Sequence, residues 1–174
     1  MNPLNPVNPD TPDPAVPVYA TLDALGIPYA IYTHPPVFNM ADVEEQWGGI
    51  DGTKAKNLFL RNKKGDRHYL VILEVSKQAD LRKLVKIVGD DRLSFGSPER
   101  LMATLGVTPG SVSPFGLIHD ARQSVRVIVD VDLRGADRLI FHPNINTASV
   151  AISGADFERF LASRGNPVTW VRVG

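Results

Sequence analysis

The sequence contains no cysteine, and this absence removes several kinds of site at once. Without thiols the chain has no disulfide framework, no thiolate zinc site and no cysteine nucleophile. It also lacks an apolar run of the ~18–20 residues that a transmembrane helix needs. Its first residues have neither the basic nor the apolar region of a secretory signal. We therefore expect a soluble cytoplasmic protein that makes no membrane contact.

Several common catalytic and nucleotide-binding motifs are missing as well. The sequence has no Gly-x-x-x-x-Gly-Lys-Ser/Thr loop, no Gly-x-Gly-x-x-Gly, no His-Glu-x-x-His and no Gly-x-Ser-x-Gly. The four histidines are scattered and do not have the spacing of metal ligands. They are His34, His68, His119 and His142. The sequence therefore predicts no metal site, and no pair of carboxylates is marked as catalytic.

Charge is balanced overall but unevenly distributed. The 19 basic and 19 acidic residues cancel. Residues 1–53 contain seven acids and no Lys or Arg, whereas residues 54–86 contain ten bases and three acids. Such a basic block can meet a polyanion locally, and it equally fits a solvated basic face. Because the whole chain is neutral, we expect no DNA partner, and contact with RNA stays open.

The order of the predicted elements indicates an α+β (mixed α/β) fold, with a mixed, largely antiparallel sheet flanked by helices. Six of the 14 prolines fall in the first 17 residues. This predicts a disordered tail over 1–17 and one folded domain over 18–174. Helices are predicted over Val18–Leu25, Met40–Trp47, Lys77–Val88, Pro98–Leu105 and Ser153–Arg164. Strands are predicted over Ile27–Tyr32, Lys56–Arg61, His68–Leu73, Ser124–Val131, Arg138–Phe141, Ala148–Ile152 and Val168–Val173.

Lys56 stands where a glycine-rich loop enters an apolar strand. It fits a solvated lysine at a strand start. If it points into a cleft instead, its three donors suit a phosphate or a hydroxyl group. Asn57 follows it and alternates to the other face of the strand unless the strand twists.

Two loops offer further candidates. The segment Thr108–Gly116 combines glycines, which allow close backbone approach, with prolines that stiffen the loop. Its N–H groups could anchor a carbonyl or hydroxyl oxygen, and a rigid connector explains the same composition. The turn Phe141–Thr147 carries His142 and Asn144. Such a polar turn is either part of a site or an ordinary turn whose Asn side chains bond their own backbone.

Taken in order, four segments of the chain resemble the YbaK/ProX-type aminoacyl-tRNA editing family. They are His34–Phe38, Lys56–Leu60, Gly110–Pro114 and Phe141–Asn144. The resemblance spans Val18 to Gly174 and is strongest toward the free-standing members that hydrolyse Ala-tRNA(Pro). It implies a single YbaK-like domain. The family often has Thr where Asn39 stands here, before Met40, and this difference bears on the shape of the pocket.

The resemblance also implies roles for individual residues. Lys56 would hold the terminal nucleotide near its phosphate or ribose. The backbone at Gly110 would position the aminoacyl ester and stabilise negative charge, and His142 would orient water or substrate. The implied substrate-binding residues are Asn57, Met40, Ser111, Pro114 and Asn144. The family's reaction uses no metal or cofactor, because the 2′-hydroxyl of the terminal adenosine assists the attacking water.

The function that follows is trans-editing of mischarged tRNA(Pro). A proline pocket cannot strongly reject the smaller alanine, since each missing methylene is worth only ~1–3 kcal/mol. Hydrolysis of Cys-tRNA(Pro), or of another small mischarged amino acid, is the alternative enzyme activity. Two functions without catalysis also fit the sequence: a tRNA-binding accessory module that uses the basic block, and an interaction domain that binds no RNA. The expected partners are tRNA(Pro) carrying a wrong amino acid and prolyl-tRNA synthetase.

Overall fold

The structure is a computed structural model that describes residues 10–174. The first half of the predicted tail, residues 1–9, lies outside the described residues, so the disorder of the tail stays a prediction. The first helix begins at Val16, two residues before the predicted start, with proline in its first turn. Proline suits this position because its fixed φ matches the helix and its missing N–H would be unpaired there in any case.

Within residues 10–174 the chain forms five α-helices and eight β-strands. The helices are α1 (Val16–Ala24), α2 (Met40–Trp47), α3 (Leu81–Val88), α4 (Pro98–Leu105) and α5 (Gly154–Arg164). The strands are β1 (Ala30–Thr33), β2 (Thr53–Asn62), β3 (His68–Glu74), β4 (Leu93–Phe95), β5 (Arg126–Asp130), β6 (Leu139–Phe141), β7 (Ala148–Ile152) and β8 (Val168–Val171). Two 3-10 helices cover Pro114–His119 and Val131–Leu133.

All eight strands belong to one mixed sheet, in the order β1-β7-β6-β2-β3-β5-β8, with β4 paired to β2. Antiparallel pairs join β1 to β7, β7 to β6, and β2 to both β3 and β4. Parallel pairs join β2 to β6, β3 to β5, and β5 to β8. The predicted mixed sheet flanked by helices is confirmed, and antiparallel pairs outnumber parallel ones only slightly.

The centre of the sheet is buried on both faces, which explains the nearly continuous apolar run of β3. Successive side chains of a strand point to opposite faces. Leu70 and Ile72 accordingly face the larger core, which also contains apolar residues of α1, α4 and α5. Val71 and Leu73 face the smaller core with Leu84 of α3. The helices therefore hold the central strands from both sides and fix the strand ends at which a site can form.

The structure differs from the predicted elements at several places, and three of these differences have local physical reasons. Helix α3 begins at Leu81 instead of Lys77, because the Asp80 side chain caps it by accepting from two backbone N–H groups. Strand β1 begins at Ala30, since the N–H of Ile27 still closes the end of α1 on the carbonyl of Leu22. The short strand β4 was not predicted, because three residues carry no readable alternation.

Candidate active site

A cavity of about 340 Å3 opens between α2, β2, the end of β6 and the loop that precedes the first 3-10 helix. Much of the cavity wall is formed by apolar side chains. The apolar lining residues include Val37, Met40, Val43, Trp47, Val75 and Val112. Lys56, Asn57, Gly110 and His142 contribute to the same wall. Four segments that are far apart in sequence, and that were singled out separately, therefore meet at one concave surface.

The course of β2 explains why the cavity lies here. This strand pairs with β6 only through Thr53 and Lys54, and it pairs with β4 only from Leu60 onward. Between these points, residues 55–58 have β3 on one side, and on the other side no strand of the described part of the chain pairs with them. Both Lys56 and Asn57 line the cavity beside this free edge. Because neighbouring side chains of a strand point to opposite faces, the sequence did not predict that Lys56 and Asn57 would line the same cavity.

Lys56 brings an uncompensated positive charge to the cavity. Within residues 10–174 its ammonium has no salt-bridge or hydrogen-bond partner, and none of the residues that line the cavity is Asp or Glu. The ammonium of Lys54, two residues earlier, does have a partner, since its Nζ donates to the carbonyl of Ile50 at 2.6 Å. The ammonium of Lys56 is thus available to a negatively charged or hydroxyl-bearing ligand.

His142 is nearly buried, with 9 % of its surface exposed, and its ring is fixed by one hydrogen bond. Its Nδ1 lies 3.1 Å from the carbonyl oxygen of Ala148. Because a carbonyl only accepts, Nδ1 carries the hydrogen and Nε2 keeps a lone pair. Burial lowers the pKa of His142, helped by the nearby His34 ring and opposed by the bond to Ala148. The imidazole is therefore neutral near pH 7 and can accept a hydrogen bond at Nε2.

A polar and aromatic network connects α2 to this histidine. The ring of Trp47, at the end of α2, lies 5.0 Å from the ring of His142. Its indole N–H donates to Nε2 of His34 at 3.4 Å, and that nitrogen also lies 2.8 Å from Oγ of Ser149. Trp47 and Ser149 were not predicted as site residues. A tryptophan at the end of a predicted helix is more often a core residue, and the sequence carried no other signal.

Asn57 presents an acceptor that no protein group satisfies. Its Oδ1 is buried, and among the described residues it has no hydrogen-bond partner. An unsatisfied buried polar atom costs about 1–3 kcal/mol. Beside a cavity, such an atom can accept a hydrogen bond from a donor group of a bound ligand.

The loop at Gly110 supplies free backbone donors. Gly110 has φ +87°, a conformation that residues with a Cβ rarely adopt. Within residues 10–174 the N–H groups of Gly110 and Val112 have no hydrogen-bond partner. The N–H of Ser111 between them is already used, since it donates to the carbonyl of Thr108 at 3.0 Å. Of residues 110–112, Gly110 and Val112 therefore keep a free N–H group, and both residues line the cavity, whereas Val112 was not predicted.

Three other predicted residues are not among those that line the cavity: Ser111, Pro114 and Asn144. Pro114 is buried at the start of the first 3-10 helix. Asn144 is buried in the turn after β6, with φ +64°, and neither atom of its amide has a partner among the described residues. Their roles in substrate binding stay predictions. Met40 does line the cavity, and half of its surface is exposed at the rim.

The fold and the cavity define a single mixed-sheet domain with a ligand-sized site whose polar groups suit ester chemistry. Residues 34–160 match the family model described as the aminoacyl-tRNA editing domain. This chain belongs to the aminoacyl-tRNA editing domain family. The resemblance noted from the four segments is confirmed, and so is the predicted class of enzyme, an aminoacyl-tRNA deacylase.

Curated relatives match most of the chain. The prolyl-tRNA editing protein ProX of Acetoanaerobium sticklandii is 39% identical over 150 residues, which cover 86% of this chain and 91% of that protein. The prolyl-tRNA synthetase associated domain-containing protein 1 of Bos taurus is 30% identical over 148 residues, covering 83% and 86%.

A solved structure supports the fold. The crystal structure of a candidate trans-editing enzyme for prolyl-tRNA synthetase superposes with a TM-score of 0.71 at 22% identity. The match covers 94% of this chain and 99% of that one. At this level of identity the likeness establishes the fold alone.

No α-helix among residues 10–174 has the length and hydropathy that crossing a membrane requires.

Proposed function

We propose that this protein edits mischarged tRNA(Pro) in trans, by hydrolysing the ester bond of Ala-tRNA(Pro). The observation that carries the proposal is the meeting of Lys56, Asn57, Gly110 and His142 at one cavity of about 340 Å3. The name of the Acetoanaerobium relative, a prolyl-tRNA editing protein, supports the choice of tRNA. The proposed place of action is the cytoplasm, and prolyl-tRNA synthetase, which produces the wrong ester, is the proposed partner.

In this proposal each polar group acts on a different part of the substrate. The ammonium of Lys56 binds a phosphate or ribose oxygen of the terminal nucleotide. The free N–H groups of Gly110 and Val112 donate to the ester carbonyl oxygen, where negative charge develops when water attacks. Nε2 of the neutral His142 accepts a hydrogen from the water or from the 2′-hydroxyl of the terminal adenosine. Oδ1 of Asn57 is left to accept from the substrate's ammonium or hydroxyl group.

In this proposal, the size and lining of the cavity account for the selectivity for alanine. A volume of about 340 Å3 lies near the lower end of the range for small-molecule sites. Once the terminal nucleotide occupies part of this space, Val37, Met40 and Val112 leave room for a small side chain. Proline is larger and rigid, so its ester is excluded from the position in which hydrolysis occurs.

The test is deacylation of four labelled substrates: Ala-tRNA(Pro), Pro-tRNA(Pro), Cys-tRNA(Pro) and Ala-tRNA(Ala). We expect selective loss of the alanyl ester of tRNA(Pro). In Lys56→Ala, loss of a bond to a charged group, worth about 1.5–3 kcal/mol, lowers kcat/KM by about 10- to 100-fold. The matched control is Lys86→Ala, an exposed lysine on α3 away from the cavity, which keeps wild-type activity.

Each competing function gives a distinct result in the same assay. Preferred cleavage of Cys-tRNA(Pro) would keep the enzyme class and replace the substrate. Binding of tRNA without any cleavage would make the protein a non-catalytic accessory module. Wild-type activity in a folded Lys56→Ala variant would remove this lysine from the site.

A further inference from the structure

Two arginine side chains meet at the tip of the hairpin between β2 and β3, away from the cavity. The turn is organised by Asn62, whose Oδ1 accepts from the N–H groups of Gly65, Asp66 and Arg67. A Cβ placed on Gly65 would lie 2.8 Å from Nη2 of Arg100 and 3.0 Å from Nη1 of Arg61. Gly65, with φ +77°, thus leaves the space in which both guanidinium groups converge.

Neither guanidinium group has a carboxylate partner among the described residues. The side chain of Arg61 makes no hydrogen bond or ion pair within residues 10–174. Arg100 donates through Nη1 to the carbonyl of Gly65 at 2.8 Å and contacts Nε2 of His68 at 3.3 Å.

Two carboxylates near the hairpin turn, one of them from the segment after α3, are engaged elsewhere. Asp66 is bound to Lys64 and to Asn62. Asp90 is bound to Tyr69 and Arg67. Two like charges held together without a counter-charge favour an anion between them.

His68 adds a polar group to the same place. It lies opposite Arg61 in the β2–β3 register, and its ring is stacked on Phe59 at 5.3 Å. Burial lowers the pKa of His68, and the charges of Arg100 and Arg61 lower it further, against an opposing effect of Asp120. The imidazole therefore stays neutral at pH 7, where it adds no third positive charge. Lys63, exposed on the turn, extends the basic surface toward solvent.

We propose that Arg61 and Arg100 form a phosphate-binding site that holds the backbone of the RNA substrate outside the cavity. The inference rests on the proposed function for the identity of the RNA. Arg61 lies five residues along β2 from Lys56, about 17 Å at the rise of a strand. A phosphate bound here therefore belongs to a nucleotide further along the RNA than the one in the cavity. The arrangement gives the neutral protein a local means of binding a polyanion.

The experiment measures binding of RNA without any ester. The ligand is a 5′-fluorescein hairpin with the acceptor-stem sequence of tRNA(Pro) and a free 3′ end, and fluorescence anisotropy is recorded over a range of salt concentrations. We expect Arg61→Gln to weaken binding about tenfold at low salt. We also expect it to reduce the slope of log affinity against log salt by about 1. Arg61→Lys, which keeps the charge, retains most of the binding.

Arg82→Gln is the matched control, because Arg82 is exposed on α3 and its side chain has no ion pair in the described residues. The Arg61 side chain makes no hydrogen bond within the same range, so Arg61→Gln is expected to fold, and its unfolding temperature checks this.

Wild-type affinity and salt slope in Arg61→Gln would overturn the inference, as would an equal loss in Arg82→Gln. Absence of RNA binding by the wild type would overturn it too. Binding that depends on Arg61, together with no hydrolysis of any aminoacyl-tRNA, would refute the proposed function and leave this site standing.

Discussion

The two ring nitrogens of His142 have different tasks, and a pair of substitutions separates them. Nδ1 donates to the carbonyl of Ala148 at 3.1 Å, whereas Nε2 is left for the substrate or water. The amide of Asn can replace the Nδ1 donor, and the longer Gln side chain can reach toward the position of Nε2. We expect His142→Gln to keep more activity than His142→Asn, and His142→Asn to be the more stable of the two.

The magnitudes follow from the contacts. Both variants lose the aromatic contact with Trp47, which lies 5.0 Å from the histidine ring and is worth about 0.5–1.5 kcal/mol. His142→Gln also loses the hydrogen bond to Ala148, about a further 1 kcal/mol of unfolding free energy. His142→Asn loses the positioned acceptor, and its kcat/KM falls about 100-fold, the lower end for such groups. The assays are urea unfolding and single-turnover deacylation of Ala-tRNA(Pro).

The pH dependence gives an independent check of the same residue. Because burial lowers the pKa of His142, the neutral imidazole persists below the ordinary value of about 6.5. Its contribution to stability is complete above that value and is lost as the pH falls through the lower pKa of the folded state. Wild-type activity should therefore be flat from pH 8 down through the ordinary value of about 6.5, and it should fall only at more acidic pH, where the imidazole of the folded state takes up a proton. An unchanged acidic limb in His142→Asn, or wild-type activity in that variant, would refute the reasoning.

Three further predictions concern the loop, the fold and the substrate acceptor. Gly110→Ala forces a Cβ into the left-handed region and should lower the unfolding free energy by about 1–2 kcal/mol, measured in urea, with reduced kcat. Lys77→Ala leaves the fully buried carboxylate of Asp130 unpaired, so thermal unfolding should reveal a loss of about 3–5 kcal/mol. Asn57→Ala should slow deacylation without lowering stability, because Oδ1 has no protein partner; a large loss of stability would contradict this.

Local chemistry made much of the fold predictable. Asn is a favoured residue before a helix, and the side chain of Asn39 does accept from the N–H of Asp42 at the start of α2. Glycine is common after a helix, and Gly89 follows α3 with φ +69°. Lys77 to Ala79 misled the prediction of α3, because good helix formers precede the real cap at Asp80. Pairing between strands that are far apart in sequence, such as Thr53 with Leu139, could not be predicted, because a local sequence pattern does not specify it.

Several residues that line the cavity were predicted from the sequence, and the groups that position them were not. Lys56, Gly110 and His142 stand out because a charge, a loop rich in glycine and proline, and a polar turn interrupt apolar segments. Which N–H groups stay free could not be read from the sequence, since that depends on the bond from Ser111 to Thr108. The role of Trp47 could not be predicted either, because its contact with His142 joins a helix to a turn that is distant in sequence.

The free edge of β2 explains how one strand can serve both the sheet and a binding site. The carbonyl of Lys54 accepts from Val75 on the β3 side, and the carbonyl of Phe59 accepts from Gly96 on the β4 side. Backbone groups alternate along an antiparallel pair, so the peptide groups of Asn57 point away from β3, toward the edge where no strand is paired. Asn57 thus offers its backbone as well as its unsatisfied side chain at the cavity. If a further strand covered this edge, those groups would be used in the sheet, and the gap beside Lys56 would close.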